Sequence, residues 1–184
     1  MPVRVTFEGA SEFFAVADRL FELVPVRALE ICAYSGSRLG GDGVRRLAAR
    51  PELARLTDLR FLEHERIDPN AWRALFRSPH VGGLEFLGLS GCGVGELIAS
   101  ELAAAPPLAN LAGLDLSYNS IGVGGARALL RSPHLRKRLE LLWLEHNFFG
   151  EEDGEDEVLE DLEHWLGDGL RTHSSPVDED YDEI

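Results

Sequence analysis

Proline recurs at positions 51, 79, 106 and 133, in steps of 27 or 28 residues. No other feature of the sequence restricts the fold as much. A period of that length is one supersecondary unit, too small to cover its own apolar surface and therefore stable only when stacked on copies of itself. Other columns keep the same register. Four residues before each proline stand Leu47, Leu75, Leu102 and Leu129, and seven before stand Val44, Trp72, Ala99 and Ala126. Two residues after come Leu53, Val81, Leu108 and Leu135.

Each unit then carries an apolar run with fixed internal spacing. The runs are Val26-Leu29-Ile31, Leu56-Leu59-Phe61, Leu84-Leu87-Leu89, Leu111-Leu114-Leu116 and Leu139-Leu142-Leu144. The last two residues of each alternate, so a strand would turn both to one side. Eight residues after each run begins stand Tyr34, His64, Cys92, Asn119 and Asn147. An Asn placed where the chain turns inward can satisfy backbone groups that would otherwise be buried unpaired. Tyr34 and His64 depart from this pattern, and irregular turns are expected there. Between strands, Trp72, Leu75 and Phe76, and again Ala126, Leu129 and Leu130, make the apolar stripe of a helix. The prolines are expected to end these helices, because the residue before a proline is pushed out of the α region.

The repeat explains a pair of identical words, Arg77-Ser78-Pro79-His80 and Arg131-Ser132-Pro133-His134. Their Ser and His residues suggest a catalytic dyad. Equivalent residues two units apart should lie ~20 Å apart at ~10 Å per layer, whereas a nucleophile and its base need ~3 Å. The words read as structural punctuation.

The best copy, residues 111–135, resembles the leucine-rich repeat, L-x-x-L-x-L-x-x-N/C-x-L. The period resembles that of the ribonuclease-inhibitor-like class. The passage from Val5 to Ile31 is also similar to the start of bacterial leucine-rich proteins that carry a repeat-companion domain. The resemblance implies an α/β fold. The fold it implies is a short right-handed leucine-rich-repeat solenoid, a horseshoe segment with a parallel β-sheet on its concave face and α-helices on its convex face.

The expected organisation is a repeat domain over 1–171 and a flexible acidic tail over 172–184. Within the domain, 1–25 form an N-terminal cap, 26–150 about five repeats and 151–171 an acidic C-terminal cap helix. In the first cap, Val3 and Val5 alternate like Leu29 and Ile31, and Ser11 is the expected N-cap of a helix through Val24. Phe14, Ala17, Leu20, Phe21 and Val24 should face inward. In the last cap the stripe is Val158, Leu162, Trp165 and Leu166.

Charge narrows the partners. Residues 1–150 hold 17 basic and 17 acidic side chains, while 151–184 hold 15 acidic and one basic, Arg171. Phosphate backbones need a basic surface, so nucleic acid is not expected as a partner. No apolar run approaches a membrane span and the N-terminus lacks signal-peptide order, so a cytoplasmic protein with no membrane association is expected. Cys32 and Cys92 sit in no zinc or redox spacing. Residues 151–157 have the acidic density of a calcium loop without its ligand order, and residues 122–127 lack the Lys-Ser/Thr of a phosphate loop. Neither metal nor cofactor is expected.

What remains is surface. The resemblance places the residues between the strand leucines on the concave face, with Glu30, Arg60, Gly88, Asp115 and Trp143 as its central column. The candidate partner-binding residues are Arg60, Glu63, Asp115, Tyr118, Trp143, Glu145 and His146, aromatic groups ringed by charge as in binding hot spots. The other reading of Trp143 is packing beneath the C-terminal cap. Gly88 and Gly91 are expected to leave the middle of the face flat and approachable. The expected function is a non-enzymatic protein–protein interaction module. The alternatives are a regulator, activating or inhibiting, of a small GTPase or other enzyme, and basic-protein binding through the acidic C-terminal segment.

Overall fold

The alternating apolar runs form strands and the 3.6-period stripes between them form helices. The computed structural model describes residues 3–33, 37–149 and 154–172. Strands β1 (Val3–Phe7), β2 (Val26–Cys32), β3 (Asp58–Leu62), β4 (Phe86–Ser90), β5 (Gly113–Asp115), β6 (Leu141–Trp143) and β7 (Leu170–Arg171) make one all-parallel sheet in sequence order. Helices α1 (Ala10–Leu23), α2 (Gly40–Ala48), α3 (Pro69–Phe76), α4 (Glu96–Ala103), α5 (Val123–Leu130) and α6 (Glu155–Leu166) alternate with them. The architecture is α/β and repeat-like. No helix among the described residues is long and apolar enough to cross a membrane.

Register follows the sequence columns. Leu29, Leu59, Leu87, Leu114, Leu142 and Leu170 pair in a row across the sheet, and so do Glu30, Arg60, Gly88, Asp115, Trp143 and Arg171. Every apolar residue of the five runs is buried, together with Trp72, Leu75, Phe76, Ala126, Leu129 and Leu130. Fully burying one such side chain is worth about 1.5–3 kcal/mol, and these side chains form one continuous core between the sheet and the helices.

The buried turns are closed by the side chains that the columns single out. Asn119 donates through Nδ2 to the carbonyls of Leu89, Leu116 and Ser117, and its Oδ1 accepts the N–H groups of Cys92 and Val94. Asn147 does the same one unit later, accepting from Ile121 and donating to Leu116, Leu144 and Glu145. The repeated serines also join layers. Ser78 Oγ donates to Ala48 O at 2.6 Å and Ser132 Oγ to Ala103 O at 2.5 Å, in each case the last residue of the helix one unit earlier, α2 and α4.

Several expectations need correction. The helices stop three residues before each proline, not at it. The pre-proline residues Arg50 and Ala105 are extended, and Pro51 and Pro106 open short 3-10 turns instead. Helix α1 is capped at Gly9, without a side-chain bond. Ser11 lies inside the first turn, where its N–H is taken at 2.8 Å by Ser37 Oγ from another segment. Phe13 is its most buried residue, while Phe14, Leu20 and Val24 are partly buried. In β1 it is Val5 and Phe7 that pair with Leu29 and Ile31, two residues later than expected. The Phe7 ring meets Phe13 edge-on at 5.4 Å and fixes that register.

The closing helix begins at Glu155 after a left-handed Gly154. Residues 151–153, the expected start of the cap, lie outside the described residues, as do Tyr34 and the tail from 173 onward. Val158 and Leu162 are buried as expected, with Trp165 and Leu166 partly so. Strand β7, which follows α6, has no counterpart in the sequence reading. Its entry depends on Gly169, where a Cβ would collide with the backbone carbonyl of Glu140. Gly169→Ala is therefore expected to detach β7 from β6, read as loss of amide protection at Leu144, whose N–H bonds Arg171 O. Unchanged protection would contradict that role.

Candidate functional site

Among the described residues, the sheet has one face packed on the helices and one face left open, and the strand residues between the leucines stand on the open face. Two of its columns alternate along each strand. One holds Glu30, Arg60, Gly88, Asp115, Trp143 and Arg171. The other holds Ala28, Asp58, Phe86, Gly113 and Leu141. The second column was not singled out in the sequence, and it supplies the residues that organise the first.

Arg60 is gripped by Asp58 through Nε at 2.9 Å and Nη2 at 3.1 Å, and Arg4 from β1 reaches the same carboxylate at 2.7 Å. Burial works against the Arg60 charge, but the hydrogen bonds and charge of Asp58 hold its pKa above the ordinary value. The guanidinium lies 4.1 Å over the Phe86 ring, Phe86 meets Trp143 edge-on at 5.8 Å, and Arg171 covers Trp143 at 5.2 Å. Arg60, Phe86, Trp143 and Arg171 thus form an alternating run of cations and rings across four strands. Trp143 is half-buried by Phe86 and by β7, so packing accounts for part of its surface.

Beyond the strand ends, Glu63, Gly91, Tyr118 and His146 occupy one further column, and all four have left-handed backbone with φ between 54° and 64°. For residues other than glycine this conformation costs about 1–2 kcal/mol. Tyr118 and His146 stack at 4.2 Å with their rings 17° apart, both exposed. Asp115 accepts from Ser117 Oγ at 2.6 Å and Ser117 N at 2.9 Å, two residues further along the chain. Glu145 is half-buried beside them, and its carbonyl accepts the Tyr118 N–H at 2.9 Å.

The expected candidates therefore fall into two groups. Arg60 and Trp143 join through Phe86. Tyr118 and His146 form a separate stacked pair, while Asp115 pairs beside Trp143 in the row with its charge favouring the Arg60 cation, and Glu63 lies against Gly91. The glycines do not leave the face flat. A Cβ at Gly88 would meet Arg60 Cγ at 3.2 Å, one at Gly91 would meet Glu63 Oε1 at 2.6 Å, and one at Gly113 would meet the Phe86 ring at 2.5 Å. The spaces are filled by the chain's own side chains lying across them.

Both cysteine thiols are buried. Burial, with Glu30 nearby, pushes the Cys32 thiol up to about 11, and burial pushes the Cys92 thiol up to about 12, so neither is a ready thiolate. Among the described residues no group of His, Cys, Asp and Glu is placed to hold a metal ion. No family model and no curated protein matches the chain.

Proposed function

We propose that the chain is a short leucine-rich-repeat solenoid of the ribonuclease-inhibitor-like class. Its open, concave sheet face holds a protein partner without catalysing a reaction. The observation that carries this reading is the run Arg60–Phe86–Trp143–Arg171 beside the exposed Tyr118–His146 pair. Aromatic rings interleaved with arginine are the composition of interface hot spots. Rings held in a costly left-handed backbone are a device for presenting side chains rather than for stability. The exposed acids Asp156, Glu157, Glu160, Asp161 and Glu163 of α6 favour a second reading, a basic protein bound at the C-terminal end.

The test is affinity capture from the native host with wild type, Tyr118→Ala, Trp143→Ala and Leu97→Ala. Leu97 is as exposed as Tyr118 but lies on α4. A partner lost with the two ring variants and kept with Leu97→Ala supports the face. Each hot-spot ring should weaken binding by roughly tenfold or more. A partner kept by both ring variants but released by moderate salt would favour the acidic end instead.

A further inference from the structure

In the column that closes the buried turns, three positions carry side chains that keep their form across ordinary pH. Cys92, Asn119 and Asn147 are such groups, and the fourth described position is His64. His64 is fully buried and does the work of the asparagines with its ring. Nδ1 accepts the Leu39 N–H at 3.0 Å, and Nε2 lies 3.0 Å from the carbonyl of Ile31. An amide nitrogen can only donate and a carbonyl can only accept, so both bonds exist only with a neutral ring protonated at Nε2. A proton added at Nδ1 would point at the Leu39 N–H, turning an attraction into a repulsion inside the core.

Leu39 ends a segment that the N-terminal unit depends on. Two residues earlier, Ser37 holds the first turn of α1: its carbonyl accepts the Ala10 N–H at 2.8 Å and its Oγ accepts the Ser11 N–H at 2.8 Å. The Ser37 and Ser11 hydroxyls also bond each other at 2.6 Å. A cleft of about 350 Å³ lies here between α1 and α2, lined by Ser11, Phe14, Leu39 and Arg46 among others. His64 is thus the inner end of a chain of contacts running from the core through Leu39 and Ser37 to α1.

We infer that His64 is a proton-operated latch, whose protonation in mildly acidic solution releases Leu39 and loosens the hold of Ser37 on α1. The surrounding groups make the proton unwelcome in the closed state. Burial is the main cause that lowers the His64 pKa; the Ile31 carbonyl opposes it, and Arg38 on the latched segment adds to it. Arg38 is itself paired with Glu65 at 3.8 Å. From the following turn comes the neutral Cys92 thiol, whose Sγ lies 3.4 Å from both Phe61 O and Ser90 O and donates its one proton between them. Glu63 and Arg66 flank the histidine on its own turn. With the closed-state pKa depressed below the open-state value of about 6.5, the latch contributes its full stability above that pH. It loses that stability as pH falls through the closed-state pKa.

The experiment is amide exchange, corrected for intrinsic rates, on the intact protein at about pH 7.5 and about pH 5.5, with an imidazole NMR titration alongside. Protection at Leu39, Ala10 and Ser11 is expected to fall by up to about tenfold at the lower pH, one decade for each pH unit below the open-state pKa. Cys92, Val94 and Ile121, held by asparagines, should keep theirs. His64→Asn should remove the pH dependence at Leu39. The inference is overturned if wild-type Leu39 keeps its protection while the imidazole titrates. It is also overturned if His64→Asn retains the same pH dependence.

Discussion

Asn119→Ala is expected to destabilise the protein by about 3–5 kcal/mol. Its side chain makes five buried hydrogen bonds to backbone groups of two successive units. Alanine leaves the N–H groups of Cys92 and Val94 without that acceptor and three carbonyls without that donor. A buried polar group stripped of its partner costs about 1–3 kcal/mol, and relaxation or entering water will recover some of the sum. Asn119→Asp is the sharper variant. It keeps the acceptor for Cys92 and Val94 but sets a carboxylate against three carbonyls, so it should be no better than alanine. Urea unfolding would read the loss as a lower midpoint at unchanged slope. A loss below about 1 kcal/mol would mean that the turn does not rest on this side chain.

Trp72→Ala should cost a similar amount, about 3–5 kcal/mol, through a different cause. Trp72 is fully buried, stacked on Phe76 at 6.1 Å and edge-on to Phe61 at 5.4 Å. Its column holds Val44, Ala99 and Ala126 in the other units, so it fills space that no neighbour can fill. Its Nε1 has no hydrogen-bond partner among the described residues. Trp72→Phe removes that unpartnered N–H, which offsets part of the lost packing, and the net loss should stay within about 2 kcal/mol. If Phe proves as costly as Ala, the indole N–H is hydrogen-bonded after all.

The fold was legible where the sequence repeats itself, because each column is an internal replicate. The strand leucines, the helix stripes and Asn119 could be placed from spacing alone. The open face was legible only in part. Arg60 and Trp143 were found, but Phe86 and Asp58, which join and anchor them, stand in a column that reads Ala, Asp, Phe, Gly, Leu and carries no repeat signal. Arg171 depends on a two-residue strand, too short to announce itself by alternation. The signal was still present, since Leu170 and Arg171 stand one 28-residue step after Leu142 and Trp143. The shared left-handed turn at Glu63, Tyr118 and His146 was marked only by Gly91 in the same column. The cap at Gly9 carries no side-chain mark, because the hydroxyl that holds the first turn comes from Ser37, and only folding brings it to Ser11.

The sheet also has an uneven seam strength. Each strand is bonded only to its sequence neighbours. Backbone bonds past the strand ends, Leu116 N to Trp143 O and Tyr118 N to Glu145 O, lengthen the β5–β6 seam, but β7 pairs over two residues only. Pulled or trimmed, such a sheet gives way first at its C-terminal edge, where Trp143, His146 and Arg171 stand. A partner laid from Phe86 to Arg171 would act as a splint across the weakest seam, and its grip would register as resistance of that edge to peeling.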